Sequence, residues 1–319
     1  MNLAAHPSTV RAELIGPKAA SGQPLSFSCG VTPKVKCSPS TGSGRAEANV
    51  AEAIRAAAAR LSATSDTARL DAELLMAHVL GMARSDMLVR AMRDEAPAGF
   101  EVLVDRRAAH EPVAHILGSQ EFFGRQFKVT PDTLIPRGDS EVLIEAALDL
   151  KGDASSVLDL GTGSGALLLS FVAETSAKGV GTDRSAGALA VAHDNADLLG
   201  LEDRVVFHLL DWRQDGWSQE LSRFDLVLCN PPYVESDADL SRDVREFEPQ
   251  TALFAGPEGL DDYRIILPQL RGLLADGGVA ILEIGHGQAQ SVGRLARKHG
   301  FTAELRHDLA NRPRAFILA

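Results

Sequence analysis

The alternation of short apolar segments with helical segments in the second half of the chain is the feature that most constrains its fold. Five segments have the length and apolar character of strands, and helical segments separate most of them: SSVLDLG (155–161), GVGTD (179–183), RVVFHLLD (204–211), FDLVLCN (224–230) and GGVAILEIG (277–285). Strands that alternate with helices form a parallel sheet that helices cover on both faces. We therefore predict an α/β fold with a doubly wound sheet.

A predicted hairpin closes this region. The segments FTAELRHDL (301–309) and RAFILA (314–319) are separated by a turn at Asn311-Arg312-Pro313. Because a hairpin joins antiparallel strands, we predict that the last strand runs antiparallel to the others.

The first half of the chain has two different patterns. Residues 46–120 carry apolar residues at helical spacing, as in VAEAIRAAAARL (50–61), and predict a small helical domain. Residues 1–45 are instead rich in Ser, Pro, Gly and Ala. Such a composition buries too little apolar surface to order itself, so we predict a disordered tail, which resembles an organellar transit peptide only weakly.

A short hairpin is predicted where the two halves join. In EFFGRQFKV (121–129), three apolar residues alternate around Gly124-Arg125: Phe123, Phe127 and Val129. Alternation around a glycine is typical of a hairpin. We therefore assign residues 121–134 to a hairpin linker and residues 135–319 to the second domain.

Composition and charge exclude several classes of protein. An apolar content of 45% with 24% charged residues is typical of a soluble globular chain, and no apolar run approaches the roughly 18 residues of a membrane span. Three cysteines do not make a disulfide framework, which fits a reducing compartment. The nine histidines lack ligand spacing, so no metal site is predicted. A net charge of −11 disfavours a protein that mainly binds phosphate backbones.

A glycine-rich loop follows the first predicted strand, in VLDLGTGSGALLL (157–169). Its candidate ligand-binding residues are consecutive: Gly161, Thr162, Gly163, Ser164 and Gly165. Glycines let the backbone turn sharply and let a ligand approach the main chain near a helix N-terminus. Because Ala166 follows, the stretch also satisfies the dinucleotide fingerprint, and a strand-to-helix turn that binds nothing stays open as well.

Polar residues end the next two strands. Asp183 follows the glycine loop by about twenty residues, where a carboxylate can accept both hydroxyls of a ribose. Asp211 and Trp212 end the third strand and offer an adenine a hydrogen-bond acceptor and an aromatic face. Since parallel strands end at one edge of a sheet, these residues are predicted to face the glycine loop.

The fourth strand ends in Asn230-Pro231-Pro232-Tyr233. This stretch is either a turn, as Asn-Pro and Pro-Pro commonly are, or a clamp for a planar amino group. The amide oxygen of Asn230 and a carbonyl of the proline turn can accept both hydrogens of an NH₂ group, and Tyr233 can stack on its plane. Such a nitrogen is a poor nucleophile, but positioning against an electrophilic carbon offsets about 7–11 kcal/mol of the barrier. The clamp therefore indicates methyl transfer from S-adenosylmethionine to an NH₂ nitrogen.

Several segments carry a family resemblance. DLGTGSGALLL, GTDRS, LLDW and NPPY resemble S-adenosylmethionine-dependent methyltransferases with a Rossmann-like, seven-stranded sheet, whose NPPY form marks enzymes that act on planar amino groups. Other segments resemble the peptide chain release factor glutamine N5-methyltransferases, the PrmC/HemK family: EPVAHILGSQEFFG (111–124), LIPRGDSE (134–141), FEPQTALFAGPEGLDDYR (247–264), EIGHGQ (283–288) and DLANRPRAF (308–316). The resemblance extends from about residue 50 to the end. Gly138 replaces a proline of the family pattern.

The resemblance implies a function. The chain would transfer a methyl group from S-adenosylmethionine to the side-chain amide N5 of the glutamine in the GGQ motif of class I release factors, which residues 46–120 would help to dock. Catalytic and substrate-binding roles would fall to Asn230, Pro231, Pro232 and Tyr233. The cofactor would contact the glycine loop, Asp183, Asp211, Trp212 and Asn230. We expect a cytoplasmic monomer, or an organellar matrix protein if the tail is a transit peptide, without membrane or direct nucleic-acid binding.

Two other activities use parts of the same pattern. An adenine-N6 methyltransferase of DNA or RNA uses the NPPY clamp on a flipped base, but the acidic charge and the lack of an Arg/Lys-rich region disfavour it. A nicotinamide dehydrogenase needs the glycine loop and Asp183 but has no use for NPPY.

Overall fold

The structure is a computed structural model that describes residues 48–319. The predicted tail over residues 1–45 lies outside the described residues. No helix of the described part is long and apolar enough to cross a membrane. Nor does any cluster of three or more His, Cys, Asp or Glu side chains in residues 48–319 have the arrangement to hold a metal ion.

Five helices form the first part of the described chain: α1 (Val50–Leu61), α2 (Ala68–Val79), α3 (Arg84–Arg90), α4 (Phe100–Ala108) and α5 (Val113–Leu117). Asn49 and Glu52 form a capping box that satisfies the first backbone N–H groups of α1. Alanine, leucine and methionine side chains of α1 and α2 pack with Phe100 of α4 in one apolar cluster. A buried ion pair between Arg107 and Asp71, 2.7 Å apart, joins α4 to α2.

A hairpin of β1 (Ser119–Phe122) and β2 (Arg125–Lys128) follows the helices. The predicted alternation is wrong at one position, because Phe122 rather than Phe123 is buried and packs edge-on against Phe127. Phe123 instead occupies the turn with a φ of 49°. The two-residue turn therefore begins one residue earlier than Gly124-Arg125.

The second part of the chain is a seven-stranded sheet in the order β5-β4-β3-β6-β7-β9-β8, which confirms the predicted fold class. Its strands are β3 (Ser156–Leu160), β4 (Lys178–Asp183), β5 (Val205–Leu209), β6 (Phe224–Cys229), β7 (Leu274–Glu283), β8 (Ala303–His307) and β9 (Pro313–Leu318). The first five of these strands are parallel, and β9 is antiparallel to both of its neighbours. The closing hairpin is thereby confirmed.

Six helices accompany the sheet: α6 (Glu141–Lys151), α7 (Ala166–Glu174), α8 (Ala186–Leu199), α9 (Arg242–Phe247), α10 (Asp261–Leu273) and α11 (Ala289–Lys298). Single 3₁₀ turns lie at Gly138–Ser140 and Gln250–Ala252. One apolar cluster joins α6 and α7 to the sheet, and a second joins α10 and α11 to it. The strand order reverses between β3 and β6, so a crevice opens there at the carboxyl edge of the sheet, which is where open α/β sheets bind ligands.

Candidate active site

One cleft at this edge brings together most of the residues predicted from the sequence. We call it the glycine-loop cleft, and its lining contains eight of them: Gly161, Thr162, Gly163, Ser164, Asp183, Trp212, Asn230 and Pro232. Four predicted residues lie outside this lining: Gly165, Asp211, Pro231 and Tyr233. The residues predicted at the ends of the strands therefore lie in one cleft with the glycine loop. From the segment after β5, Trp212 lines this cleft and Asp211 does not.

The glycine loop turns away from β3 while it stays bonded to β4. The N–H groups of Gly161 and Thr162 both donate to the carbonyl of Thr182 at 2.8 Å. Gly161, Gly163 and Gly165 all have positive φ angles. A Cβ on Gly163 would meet nothing within 4 Å, whereas a Cβ on Gly165 would lie 2.9 Å from Leu169. Gly163 therefore faces the open cleft, and Gly165 serves the packing of α7.

Asp183 fixes the loop from the end of β4. Its Oδ2 accepts the N–H of Gly163, and its Oδ1 accepts the N–H of Ser185, both at 2.9 Å. Burial raises the pKa of this carboxyl group above its usual value. Each oxygen keeps a free lone pair, so Asp183 can hold the loop and still accept hydrogen bonds from a ligand in the cleft.

Asp211 and Trp212 point in different directions at the end of β5. The Trp212 ring lies against the glycine loop, where a Cβ on Gly161 would be 2.9 Å from Cη2 of the indole. The indole N–H donates to Oδ1 of Asp262 at 2.7 Å. Asp211 accepts the backbone N–H of Arg213 at 3.0 Å and lies outside the cleft lining. The adenine-binding role predicted for Asp211 stays a prediction without a contact in the cleft.

The NPPY segment separates two clefts. Asn230 and Pro232 line the glycine-loop cleft, and within the described residues the Asn230 amide has no hydrogen-bond partner. Pro231 is buried. Tyr233 lines a second cleft, the Tyr233 cleft, which also contains four charged side chains: Arg137, Asp139, Glu283 and Arg314. Asn230 and Tyr233 thus line different clefts, and their joint contact with one planar amino group stays a prediction.

Tyr233 is held at both ends. Its hydroxyl donates to Oε1 of Glu283 at 3.2 Å, and its carbonyl accepts Nε2 of Gln288 at 3.0 Å. Burial raises the pKa of the Tyr233 hydroxyl, so the phenol stays protonated and acts as a donor. Burial also raises the pKa of Glu283, which is 1% exposed.

The loop before α6 contributes lining residues that sequence reasoning did not assign. Asp132, Thr133 and Pro136 line the glycine-loop cleft. Glu248 holds this loop, because its Oε2 accepts the N–H of Ile135 at 3.1 Å and its Oε1 pairs with Arg137 at 2.5 Å. The partners lie more than 100 residues apart in sequence. The only signal was that LIPRGDSE and FEPQ both belong to the segments that carry the family resemblance.

Asp159 is a buried acid beneath the loop. Its Oδ2 accepts the hydroxyl of Thr162 at 2.7 Å, and its Oδ1 has no partner. Burial raises the pKa of Asp159 from 3.8 to about 7. The folded state therefore holds a proton that the unfolded state has already released between about pH 4 and pH 7.

We expect Asp159→Asn to stabilise the protein more at pH 8 than at pH 5. The contribution of Asp159 to the wild-type free energy of unfolding should fall by roughly 2–3 kcal/mol as the pH rises from 5 to 7 and change little above that, because the folded pKa is raised. The amide in the Asp159→Asn variant does not titrate, so this fall in the free energy of unfolding is absent from the variant. Urea unfolding of both proteins at pH 5 and pH 8 measures the difference. An equal difference at the two pH values would contradict the raised pKa.

Comparisons with known proteins find relatives that cover most of the chain. A family model described as the PrmC N-terminal domain matches residues 52–118, and a methyltransferase domain model matches residues 151–260. The release factor glutamine methyltransferase of Cereibacter sphaeroides is 42% identical over 78% of this chain and 90% of its own length. The protein of the same name from Bradyrhizobium diazoefficiens is 39% identical over 89% of this chain and 97% of its own length. The protein of the same name from Moorella thermoacetica is 41% identical over 83% of this chain and 96% of its own length. The chain therefore belongs to the release factor glutamine methyltransferase family.

Proposed function

We propose that this protein transfers a methyl group from S-adenosylmethionine to the side-chain amide N5 of the glutamine in the GGQ motif of class I peptide chain release factors. The observation that carries the proposal is the amide of Asn230, which has no hydrogen-bond partner in residues 48–319 and lines the same cleft as the glycine loop. The names of the relatives supply the substrate class.

The glycine-loop cleft suits an adenosyl cofactor. Gly163 presents open space above the backbone, and Asp183 keeps lone pairs for ribose hydroxyls. The Trp212 ring would supply an aromatic wall, and the Asn230 amide belongs to the same lining. When bound, the cofactor supplies an electrophilic methyl carbon on a positively charged sulfur. Transfer of the methyl group would leave a neutral thioether, and a site that excludes water would favour this loss of charge.

The clamp residues position the substrate amide. Oδ1 of Asn230 and a proline carbonyl of Pro231-Pro232 accept the two N–H bonds, so the nitrogen lone pair is aimed into the glycine-loop cleft. The prolines keep their carbonyls in fixed directions because φ is locked. Two hydrogen bonds restrain Tyr233, because its hydroxyl donates to Glu283 and its backbone carbonyl accepts the amide of Gln288. Near-attack positioning of this kind reduces the barrier by about 7–11 kcal/mol. As the N–C bond forms and the C–S bond breaks, the nitrogen loses one of its two protons to water, and no strong base is needed because an N-protonated amide is a strong acid.

The adenine-N6 alternative has no comparable support. The chain has a net charge of −11, and its relatives carry a protein-modifying name. We propose further that the helices within residues 46–120 help to dock the release factor. The monomeric state and the cytoplasmic location stay predictions.

Mass spectrometry of a release factor incubated with the enzyme and isotope-labelled S-adenosylmethionine tests the proposed function. We expect one labelled methyl group on the glutamine of the GGQ tryptic peptide. The matched control is the same release factor with that glutamine replaced by alanine, which should acquire no label. A parallel reaction with total DNA and RNA should stay unlabelled. Label on adenine, with none on the release factor, would replace the proposal by the adenine-N6 reading.

A further inference from the structure

Asp262 is a buried acid that joins two residues of the cleft wall. It lies in the first turn of α10 and is 0% exposed. Its Oδ1 accepts the indole N–H of Trp212 at 2.7 Å, and its Oδ2 accepts Nη2 of Arg213 at 2.9 Å. Asp262, Trp212 and Arg213 all line the glycine-loop cleft. Its neighbour Asp261 is half exposed, pairs with Arg264, and is absent from the lining.

The orientation of the Trp212 ring decides the shape of the cleft. The ring packs so closely on the glycine loop that a Cβ on Gly161 would be 2.9 Å from Cη2 and 3.1 Å from Cζ3. The ring has one polar atom, and that atom bonds only to Asp262 among residues 48–319. A buried indole N–H without a partner costs about 1–3 kcal/mol, so the ring would turn toward water if the acceptor were removed.

The carboxylate of Asp262 also forms an ion pair with Arg213. Arg213 reaches the carboxylate with two nitrogens, and the Arg213 side chain is 42% exposed while that of Asp262 is 0% exposed. Loss of the acid would leave Arg213 free to move into solvent. One side chain on α10 therefore holds two consecutive residues that follow β5.

We propose that Asp262 is a positioning residue that fixes the plane of Trp212 as the aromatic wall for the purine ring of the cofactor. The inference rests on the proposed function for the identity of the cofactor, but the contact between Asp262 and Trp212 does not depend on it. If Asp262 only held α10 in place, its loss would lower the stability of the fold and leave the orientation of the Trp212 ring and the cofactor affinity unchanged.

Intrinsic fluorescence reports whether the Trp212 ring leaves its buried position, because the emission maximum of an indole follows the polarity of its surroundings. The chain has two tryptophans, so Trp217→Phe leaves Trp212 as the single emitter. In this parent we expect Asp262→Leu to shift the emission maximum of Trp212 and to raise the dissociation constant for S-adenosylmethionine about tenfold by calorimetry. Asp262→Asn keeps an oxygen that accepts the indole N–H, so its emission should stay near that of the parent and its dissociation constant within about threefold. Asp261→Leu is the matched control and should change neither.

A double-mutant cycle shows whether Asp262 acts on cofactor binding through Trp212 or through the stability of the fold. In a Trp212→Phe background, Asp262→Leu should raise the dissociation constant by less than about twofold, because the residue through which it acts is gone. A tenfold effect that persists without Trp212 would overturn the inference. So would a loss of affinity in Asp262→Asn as large as in Asp262→Leu. If Asp262→Leu does not fold, Asp262→Asn in the same cycle decides between these outcomes.

The proposed function and this inference can fail separately. If the Trp217→Phe parent does not bind S-adenosylmethionine, the proposed cofactor is wrong, and the emission of Trp212 in the Asp262 variants still tests the positioning. An unchanged emission maximum in folded Asp262→Leu would overturn the inference whatever the cofactor is.

Discussion

Asn230→Ala is expected to lower kcat on a release factor by about 10²–10³, which is the effect of removing one preorganised polar group from a transition state. The Asn230 amide faces the glycine-loop cleft and bonds to nothing else in residues 48–319, so its loss should not unfold the protein. The dissociation constant for S-adenosylmethionine should change only modestly. Single-turnover methylation and calorimetric titration measure the two quantities.

Asn230→Asp tests whether the side chain at this position acts by accepting a hydrogen bond or by donating one. A carboxylate still accepts a hydrogen bond from the substrate amide, but it cannot donate, and it brings a negative charge close to the sulfonium. We expect this variant to retain more kcat than Asn230→Ala. Wild-type rates in both variants would show that NPPY is only the turn that ends β6.

The residues that sequence reasoning located share one property, which is their position directly after a strand. The glycine loop follows β3, Asp183 ends β4, and Asn230 follows β6. Parallel strands end at one edge, so placing the strands was enough to bring these residues together. The sequence could not separate Asp211 from Trp212, because β5 ends at Leu209 rather than at the predicted Asp211, and side chains in the turn beyond a strand no longer alternate between its two faces.

The supporting residues could not be located in the same way. Asp262, Glu248 and Gln288 reach the site from a helix, a loop and a helix N-terminus, and each contacts a partner that is about 50 or more residues away in sequence. Nothing in local periodicity records such a contact. The family resemblance marked the segments that hold them, and the structure supplies the reason, since each segment positions a different wall of the site.

Gln288 connects three loops around the NPPY segment. Its Nε2 donates to the carbonyls of Tyr233 and Gly259, and its Oε1 accepts the N–H of Gly285, each at 3.0 Å. The backbones are too close for any other residue at Gly259, where a Cβ would clash with the Tyr233 carbonyl oxygen. The Gln288 amide therefore holds the carbonyl of Tyr233 directly, while the backbone of Val234 is bonded to that of Leu253 and Ala255.

Gln288→Glu is expected to lower kcat by about 10²-fold with little change in the dissociation constant for S-adenosylmethionine. The substitution keeps the size of the side chain but places a carboxylate oxygen against two carbonyl oxygens, so Tyr233 must move, and a displacement of about 1 Å at a reacting centre costs roughly 10²-fold in rate. Gln290→Glu is the matched control, because Gln290 carries the same change on an exposed position of α11. Methylation rates of both variants at saturating cofactor give the comparison. Equal rates for the two would mean that the position of Tyr233 does not depend on the amide of Gln288.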